Sequence, residues 1–210
     1  MKRLALLGAS GHGKVVADAA LASGWDAVEF FDDAWPQLQK NGPWQVTGDS
    51  AELLARLREF QGVIVSIGDC AARWDKHRAL RAAGAPLVTV VHPAAFVSRY
   101  VELGVGTVVM AGAIVNIDAV VGQVCIINTG ATVDHDCRLG DAVHICPGAH
   151  LSGQVQVGQG SWVGVGAAVK QGMKIGERVM VGAGAVVVQA VSDGLTVVGN
   201  PAAPLGTSKT

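Results

Sequence analysis

Residues 109–128 read VMAGAIVNIDAVVGQVCIIN. Val109, Val115, Val121 and Ile127 stand six apart, and the same step carried outward meets an aliphatic residue every time from Val91 to Val187. Four places after each of these comes only Ala, Cys, Ser, Thr, Val or Met, never a charged or aromatic side chain. A β-sandwich would instead show period two with irregular turns. Period six is the mark of the hexapeptide β-helix, in which each unit forms one side of a triangular coil and three units complete a turn. The aliphatic residue fills the prism, and the small residue four places on sits at a corner. Gly104, Gly122, Gly140, Gly158 and Gly176 recur once in every three units; glycine tolerates turn conformations that cost other residues energy, so it is expected at one corner of successive coils. The reading is a left-handed parallel β-helix over residues 91–192, followed by a tail, 193–210. Such solenoids leave flat sides and associate as closed trimers, with binding grooves between subunits.

The first ninety residues follow a different rule. Lys2–Leu7 is a short apolar run ending in Gly8-Ala9-Ser10-Gly11-His12-Gly13-Lys14, after which Val15–Ala22 has a helical pattern. Further elements are expected as a strand at 27–31 ending in Asp32-Asp33, a helix at 50–59, a strand at 63–67 followed by Gly68-Asp69, a helix at 71–83 and a strand at 87–91. This is an α/β half-Rossmann domain, 1–90, with room for one nucleotide. A glycine-rich turn at a helix N-terminus offers free N–H groups and a favourable dipole to phosphate. Its spacing is neither the dinucleotide fingerprint nor a P-loop, and Asp32-Asp33 stand where doubly wound sheets place ribose or base contacts.

Composition narrows the function classes. The 16 basic and 17 acidic residues nearly cancel and form no block, which disfavours nucleic acid and anionic membrane as partners. Residues 4–7 are interrupted at once by the glycine-rich turn, so they form neither a secretory h-region nor a membrane span, and a cytoplasmic location is expected. Cys70, Cys125, Cys137 and Cys146 show no framework spacing and are read as reduced, mostly interior thiols rather than zinc ligands.

The chemistry-bearing stretch is Asn128-Thr129-Gly130-Ala131-Thr132-Val133-Asp134-His135-Asp136-Cys137. His135, two after the inward Val133, falls at an outward corner. An imidazole titrates near neutrality and can take a proton from an attacking amine or hydroxyl, and Asp136 can orient it and raise its basicity. Gly153, one full coil on, lies over His135, leaving space and a backbone N–H that could stabilise an oxyanion. His144 and His150 face other sides of the coil, so His144 and His135 converge only across a trimer seam; His77 and His92 offer no constellation. Spacings of nine and six between these histidines do not suit a carbonic-anhydrase-like metal site, and no metal is expected.

These motifs, with Gly148-Ala149-His150-Leu151-Ser152-Gly153 and the closing Val198-Gly199-Asn200-Pro201-Ala202, resemble the hexapeptide acetyltransferases of the bacillosamine-pathway nucleotide-sugar N-acetyltransferase and sialic acid O-acetyltransferase group. The resemblance implies an acetyl-CoA-dependent N-acetyltransferase acting on the 4-amino group of a UDP-linked 4-amino-4,6-dideoxy sugar for glycan biosynthesis. His135 would be general base with Asp136 raising its basicity. Ser10, Gly11, His12, Asp32, Asp33, Gly68 and Asn128 would form the acceptor side, and His144, Gly153, Val165 and Ala183 the acetyl-CoA side. Members of the group often carry a lysine after the double aspartate and another after the final Gly-Asn-Pro-Ala; here Ala34-Trp35 and Ala203-Pro204 stand in those places. The alternatives are O-acetylation of sialic acid or another surface sugar, and a non-catalytic nucleotide-binding scaffold.

Overall fold

The computed structural model describes residues 1–205. From Val90 to Val187 the chain is a parallel β-solenoid of two-residue strands, each hydrogen-bonded to the strand one coil on, as in Ile114–Val115 against Thr132–Val133. Three sheets result. The first face runs from Phe96–Val97 to Val186–Val187 and the second from Glu102–Leu103 to Lys174–Ile175; the third runs from Val90–Val91 to Met180–Val181 and continues through Thr196–Val198 to Ala203–Pro204. Every sixth aliphatic residue from Val109 to Val187 is buried in one continuous core, while Val91, Val97 and Leu103 are only partly covered because no coil lies beneath them. Small polar residues at the inner corners satisfy the backbone: the Ser161 hydroxyl donates to the Gly176 carbonyl (2.7 Å) and accepts from the Val179 N–H (2.9 Å). All four cysteines are reduced and buried, as expected.

Two corner positions have different physical causes. Every sixth residue from Gly106 to Gly184 has a left-handed backbone, with φ between 50° and 83°. Glycine fills eight of these places; Asp118, Val124, Asp136, Ala142, Gln154 and Arg178 fill the rest at a cost of order 1–3 kcal/mol each. The once-per-coil glycine ladder is not part of this set, which corrects the expectation that turn conformation explains it. Its glycines have ordinary φ, but a Cβ on Gly122 would lie 2.6 Å from the Gly140 carbonyl carbon, and one on Gly158 would lie 2.5 Å from that of Gly176. Close approach of stacked coils, not φ, selects glycine there.

The N-terminal domain consists of β1 (Arg3–Leu7), α1 (Gly11–Ala22), β2 (Ala27–Phe31), the hairpin β3 (Lys40–Asn41) and β4 (Trp44–Gln45), α2 (Ser50–Ala55), β5 (Gly62–Val65) and α3 (Cys70–Ala82). The parallel sheet has order β2-β1-β5. Asp49 and Asp69 cap α2 and α3. The expected helix at 50–59 ends at Ala55 and continues as a tight turn, Leu57–Glu59; the expected strand 87–91 splits, with Leu87 bridging to Val63 and Val90–Val91 joining the solenoid. Leu4 and Leu6 pack with Val16 of α1 against the outward residues Val90, Val108 and Ile126 of the third solenoid face. Ala5 and Leu7 pack the other way, with Leu53, Phe60 and Leu80. The third face is therefore the one the N-terminal domain covers.

Gly122→Ala should destabilise the protein by about 3 kcal/mol or more, because backbone must move, whereas Gly148→Ala, whose φ is 63° and whose Cβ would meet nothing within 4 Å, should cost only about 1–2 kcal/mol. Chemical denaturation of the two variants checks the order; equal losses would mean that coil spacing is not limiting.

Candidate active site

The strand Thr132–Val133 ends in a turn at His135-Asp136, where Asp136 takes the left-handed position with φ 59°. Asp134 braces the turn: its Oδ1 accepts the His135 N–H (2.8 Å) and the Asn116 Nδ2–H (2.9 Å) from the preceding coil. The His135 backbone N–H above all holds the Asp134 carboxyl below its ordinary range. The imidazole lies on Gly153; a Cβ there would come within 2.5 Å of both Cε1 and Nε2. The space left by the missing side chain is thus taken by the imidazole itself. His135 Nδ1 lies 2.7 Å from Asp136 Oδ2, and that hydrogen bond is the main cause of a pKa raised above 6.5. With Nδ1–H donating to the carboxylate, the tautomer inferred from the network leaves the Nε2 lone pair for an incoming proton. Both side chains are half exposed, 52% and 51%, on a groove of about 380 Å³ lined by Asp134, His135, Ser152, Gly153, Gln154 and Gln171. Among the described residues nothing accepts from the Gly153 N–H.

The second cluster lies under the N-terminal domain. Gly8 takes φ 114°, and a Cβ on it would meet the Ile67 side chain at 2.6 Å. Asp32 Oδ2 accepts the Ala9 N–H (2.7 Å) and ties the glycine-rich turn to β2. Ser10 is the N-cap of α1 but makes no side-chain cap bond, so the first N–H groups of the helix stay available to an anion. Asp33 accepts from Ser50 and faces Lys76, which holds its carboxyl below the usual range. A Cβ on Gly68 would face open space.

His144 is neither solvated nor at a free edge. It is 4% exposed, packed on Trp162 (ring centroids 4.1 Å apart) and near His12 (6.2 Å). Asn128 Oδ1 accepts the Thr129 N–H (2.8 Å), which turns its Nδ2 toward His144 Nε2 (3.1 Å). The His144 proton therefore sits on Nδ1, which has no well-aligned partner, although the Gly68 carbonyl lies close by. Burial, helped by the charge of Arg73, lowers the His144 pKa to about 3 and that of His12 to about 4. Both are neutral at physiological pH and cannot serve as cations. Arg73, fully buried, donates to the carbonyls of Ile67, Gly68, Val124 and Ala142. His77, set aside in the sequence, is buried as well, with its ring stacked on Trp74. His150 is exposed, bonded to Thr132 Oγ1 (3.0 Å). Val165 and Ala183, one coil apart and exposed, stand at the edge between the third and first faces. Sequence reasoning missed Arg73, Lys76 and Trp162. Only Trp162 carried a signal: it stands one full coil after His144, with which it pairs, and points outward.

The fold and this pair of clusters define a left-handed β-helix acetyltransferase with an α/β N-terminal domain. Residues 3–80 match the PglD N-terminal domain family. The chain is 42% identical to the acetyltransferase domain of PglB from Neisseria gonorrhoeae, covering 98% of this chain and 100% of that one, with a TM-score of 0.92. It is 40% identical to PerB from Caulobacter crescentus, solved with CoA and GDP-perosamine, with 98% of each chain covered and a TM-score of 0.92. A curated UDP-N-acetylbacillosamine N-acetyltransferase from Bacillus subtilis is 36% identical over 113 residues, 53% of this chain and 52% of that protein, so the chain spans about half the length of the curated relative it matches. This chain belongs to the hexapeptide-repeat acetyltransferase family that includes the PglB and PerB acetyltransferases.

The depressed pKa values of His12 and His144 lie below the unfolded value of 6.5, so the unfolded chain binds more protons as pH falls. Stability present above about pH 6.5 is lost toward pH 4, by up to about 1.4 kcal/mol per pH unit for each histidine. The melting temperature should drop between pH 7 and pH 5, and His144→Gln should flatten that slope; an unchanged slope would show that these imidazoles are solvated.

Proposed function

We propose that this chain transfers the acetyl group of acetyl-CoA to the amino group of a nucleotide-linked amino sugar, with the 4-amino group of a UDP-linked 4-amino-4,6-dideoxy sugar as the first acceptor to test. The observation that carries the reading is the His135–Asp136 pair at 2.7 Å, with Nε2 unoccupied beside the free Gly153 N–H. Nε2 takes a proton from the acceptor amine as its nitrogen attacks the thioester carbonyl. The Gly153 N–H donates to the oxyanion of the tetrahedral adduct. Collapse of the adduct breaks the C–S bond, and the proton on His135 passes to the departing thiolate, giving the amide and free CoA. Ser10, Gly11 and His12 at the start of α1, with Gly68, receive the diphosphate and sugar. Asn128 acts by orienting His144. Val165 and Ala183 offer the pantetheine chain an apolar edge. Asp32 and Asp33, whose oxygens are engaged within the chain, shape the nucleotide end.

The reading extends to a site shared between copies of the chain. His135 lies at the edge between the first and second faces, opposite the third face, where the nucleotide loop sits. Base and acceptor loop therefore meet only if a neighbour supplies His135. The first face, which joins the two edges, exposes Phe96 (59%) and Ile114 (38%), as suits a closed trimer around a threefold axis.

His135→Ala should lower kcat/KM by a factor of about 10² to 10⁴ while the protein stays folded and binds coenzyme. Neutral His135 is the active form, so activity falls as pH drops through its raised pKa; Asp136→Asn should move that acidic limb to lower pH. Retention of more than about a tenth of kcat/KM in His135→Ala would sink the mechanism.

Light scattering should give three times the chain mass. Mixed oligomers of His135→Ala and His12→Ala copies should recover activity at an acceptor concentration where both parents are nearly silent; a site contained in one chain predicts no recovery.

A further inference from the structure

At the C-terminal end of β2 every carboxylate oxygen of the two aspartates already accepts from a partner within the chain. Asp32 accepts from the Ala9 N–H (2.7 Å) with one oxygen and from the Ala34 N–H (2.9 Å) with the other. Asp33 Oδ1 accepts from the Ser50 N–H (3.0 Å) and hydroxyl, and its Oδ2 is paired with the Lys76 ammonium. Lys76 is the donor with a bond to spare. Of its three N–H donors, one meets Asp33 Oδ2 and one meets Ser50 Oγ (2.9 Å), leaving the third. The side chain is 33% exposed, and its head is fixed by two partners at the strand end where open α/β sheets meet ribose and base.

A group that only donates can read only an acceptor. Uracil and thymine present O4, and guanine presents O6, as acceptors; cytosine and adenine present an amino donor at the equivalent position. We propose that Lys76 is the specificity-determining residue at the nucleotide end, selecting sugars linked to a keto base over those linked to cytosine or adenine. At that position of the ring an amino group would set N–H against ammonium, where a keto oxygen would accept. The inference rests on the nucleotide-sugar reading above and extends it from one nucleotide to a chemical class. The Bacillus relative is named for a UDP sugar and the Caulobacter relative is solved with a GDP sugar, both of them keto bases.

The test is calorimetric titration of the full chain with UDP, GDP, CDP and ADP, in wild type and Lys76→Met, with thermal melts to establish that the variant is folded. Wild type should bind UDP and GDP about tenfold or more tightly than CDP and ADP, as one charge-assisted hydrogen bond allows, and Lys76→Met should bring the ratio close to one. Equal binding of all four by wild type, a ratio that survives in Lys76→Met, or a uniform weakening that shows Lys76 merely braces Asp33, would each overturn the assignment. If wild type binds none of the four, the nucleotide-sugar reading itself falls, a result distinct from loss of discrimination.

Discussion

The arrangement depends on one buried cation. Arg73 offers five N–H donors in a fixed plane, and each region of the guanidinium meets a partner: Nε the Val124 carbonyl (2.8 Å), Nη1 those of Ile67 (3.1 Å) and Gly68 (2.6 Å), Nη2 the Ala142 carbonyl (2.8 Å) and the Cys70 sulfur (3.6 Å). Among the described residues no carboxylate lies within ion-pair distance of it. A buried charge is tolerable only when fully hydrogen-bonded, so the carbonyls it meets must be rigidly placed. Val124 and Ala142 are placed by their left-handed backbone, with φ 50° and 55°. A strained corner, unfavourable for a β-branched residue, thus presents the acceptor that docks one domain on the other. The same charge helps keep His12 and His144 neutral.

The solenoid divides its roles by direction. Its inward residues do nothing but fill the prism, and the three outward faces differ in what they bear. Val90, Val108, Ile126 and His144 on the third face meet the N-terminal domain, whereas Glu102, Arg138, Gln156 and Lys174 keep the second face polar. His135 needs no elaborate cradle because the coil above and the coil below already fix it, Gly153 on one side and the Asn116–Asp134 contact on the other. Two roles of histidine follow from exposure and from the neighbouring carboxylate. The half-exposed His135 has its pKa raised by Asp136, and the buried His144 is held neutral.

Most of the solenoid could be read from the sequence, because its constraint repeats locally at every hexapeptide and needs no long-range partner. The glycine ladder was visible but its cause was not: close approach between coils depends on spacing that a residue count does not reveal. His135, Asp136 and Gly153 were legible for the same reason as the core, since a step of one full coil stacks the glycine on the imidazole. The sheath over His144 was not legible, because its cover comes from a domain far upstream in the chain. Arg73 looked like any helical arginine on a helix of modest amphipathicity. Asp32 and Asp33 looked like free ligand groups, and only the backbone N–H donors of Ala9, Ala34 and Ser50 show how far they are committed to their own chain.

Since Arg73 grips two corner carbonyls one coil apart, the N-terminal domain is keyed to the solenoid as a slider is keyed to a toothed rack. Stacked coils repeat at about 4.7–4.9 Å, the spacing of neighbouring strands, and positions between the teeth offer no carbonyl pair. The span from the glycine-rich loop to the outer edge of the solenoid is therefore digital. A descendant of this chain that had to serve a longer or shorter acceptor could not stretch the gap gradually; it would have to re-dock its first domain a whole tooth along, or change the acceptor loop itself.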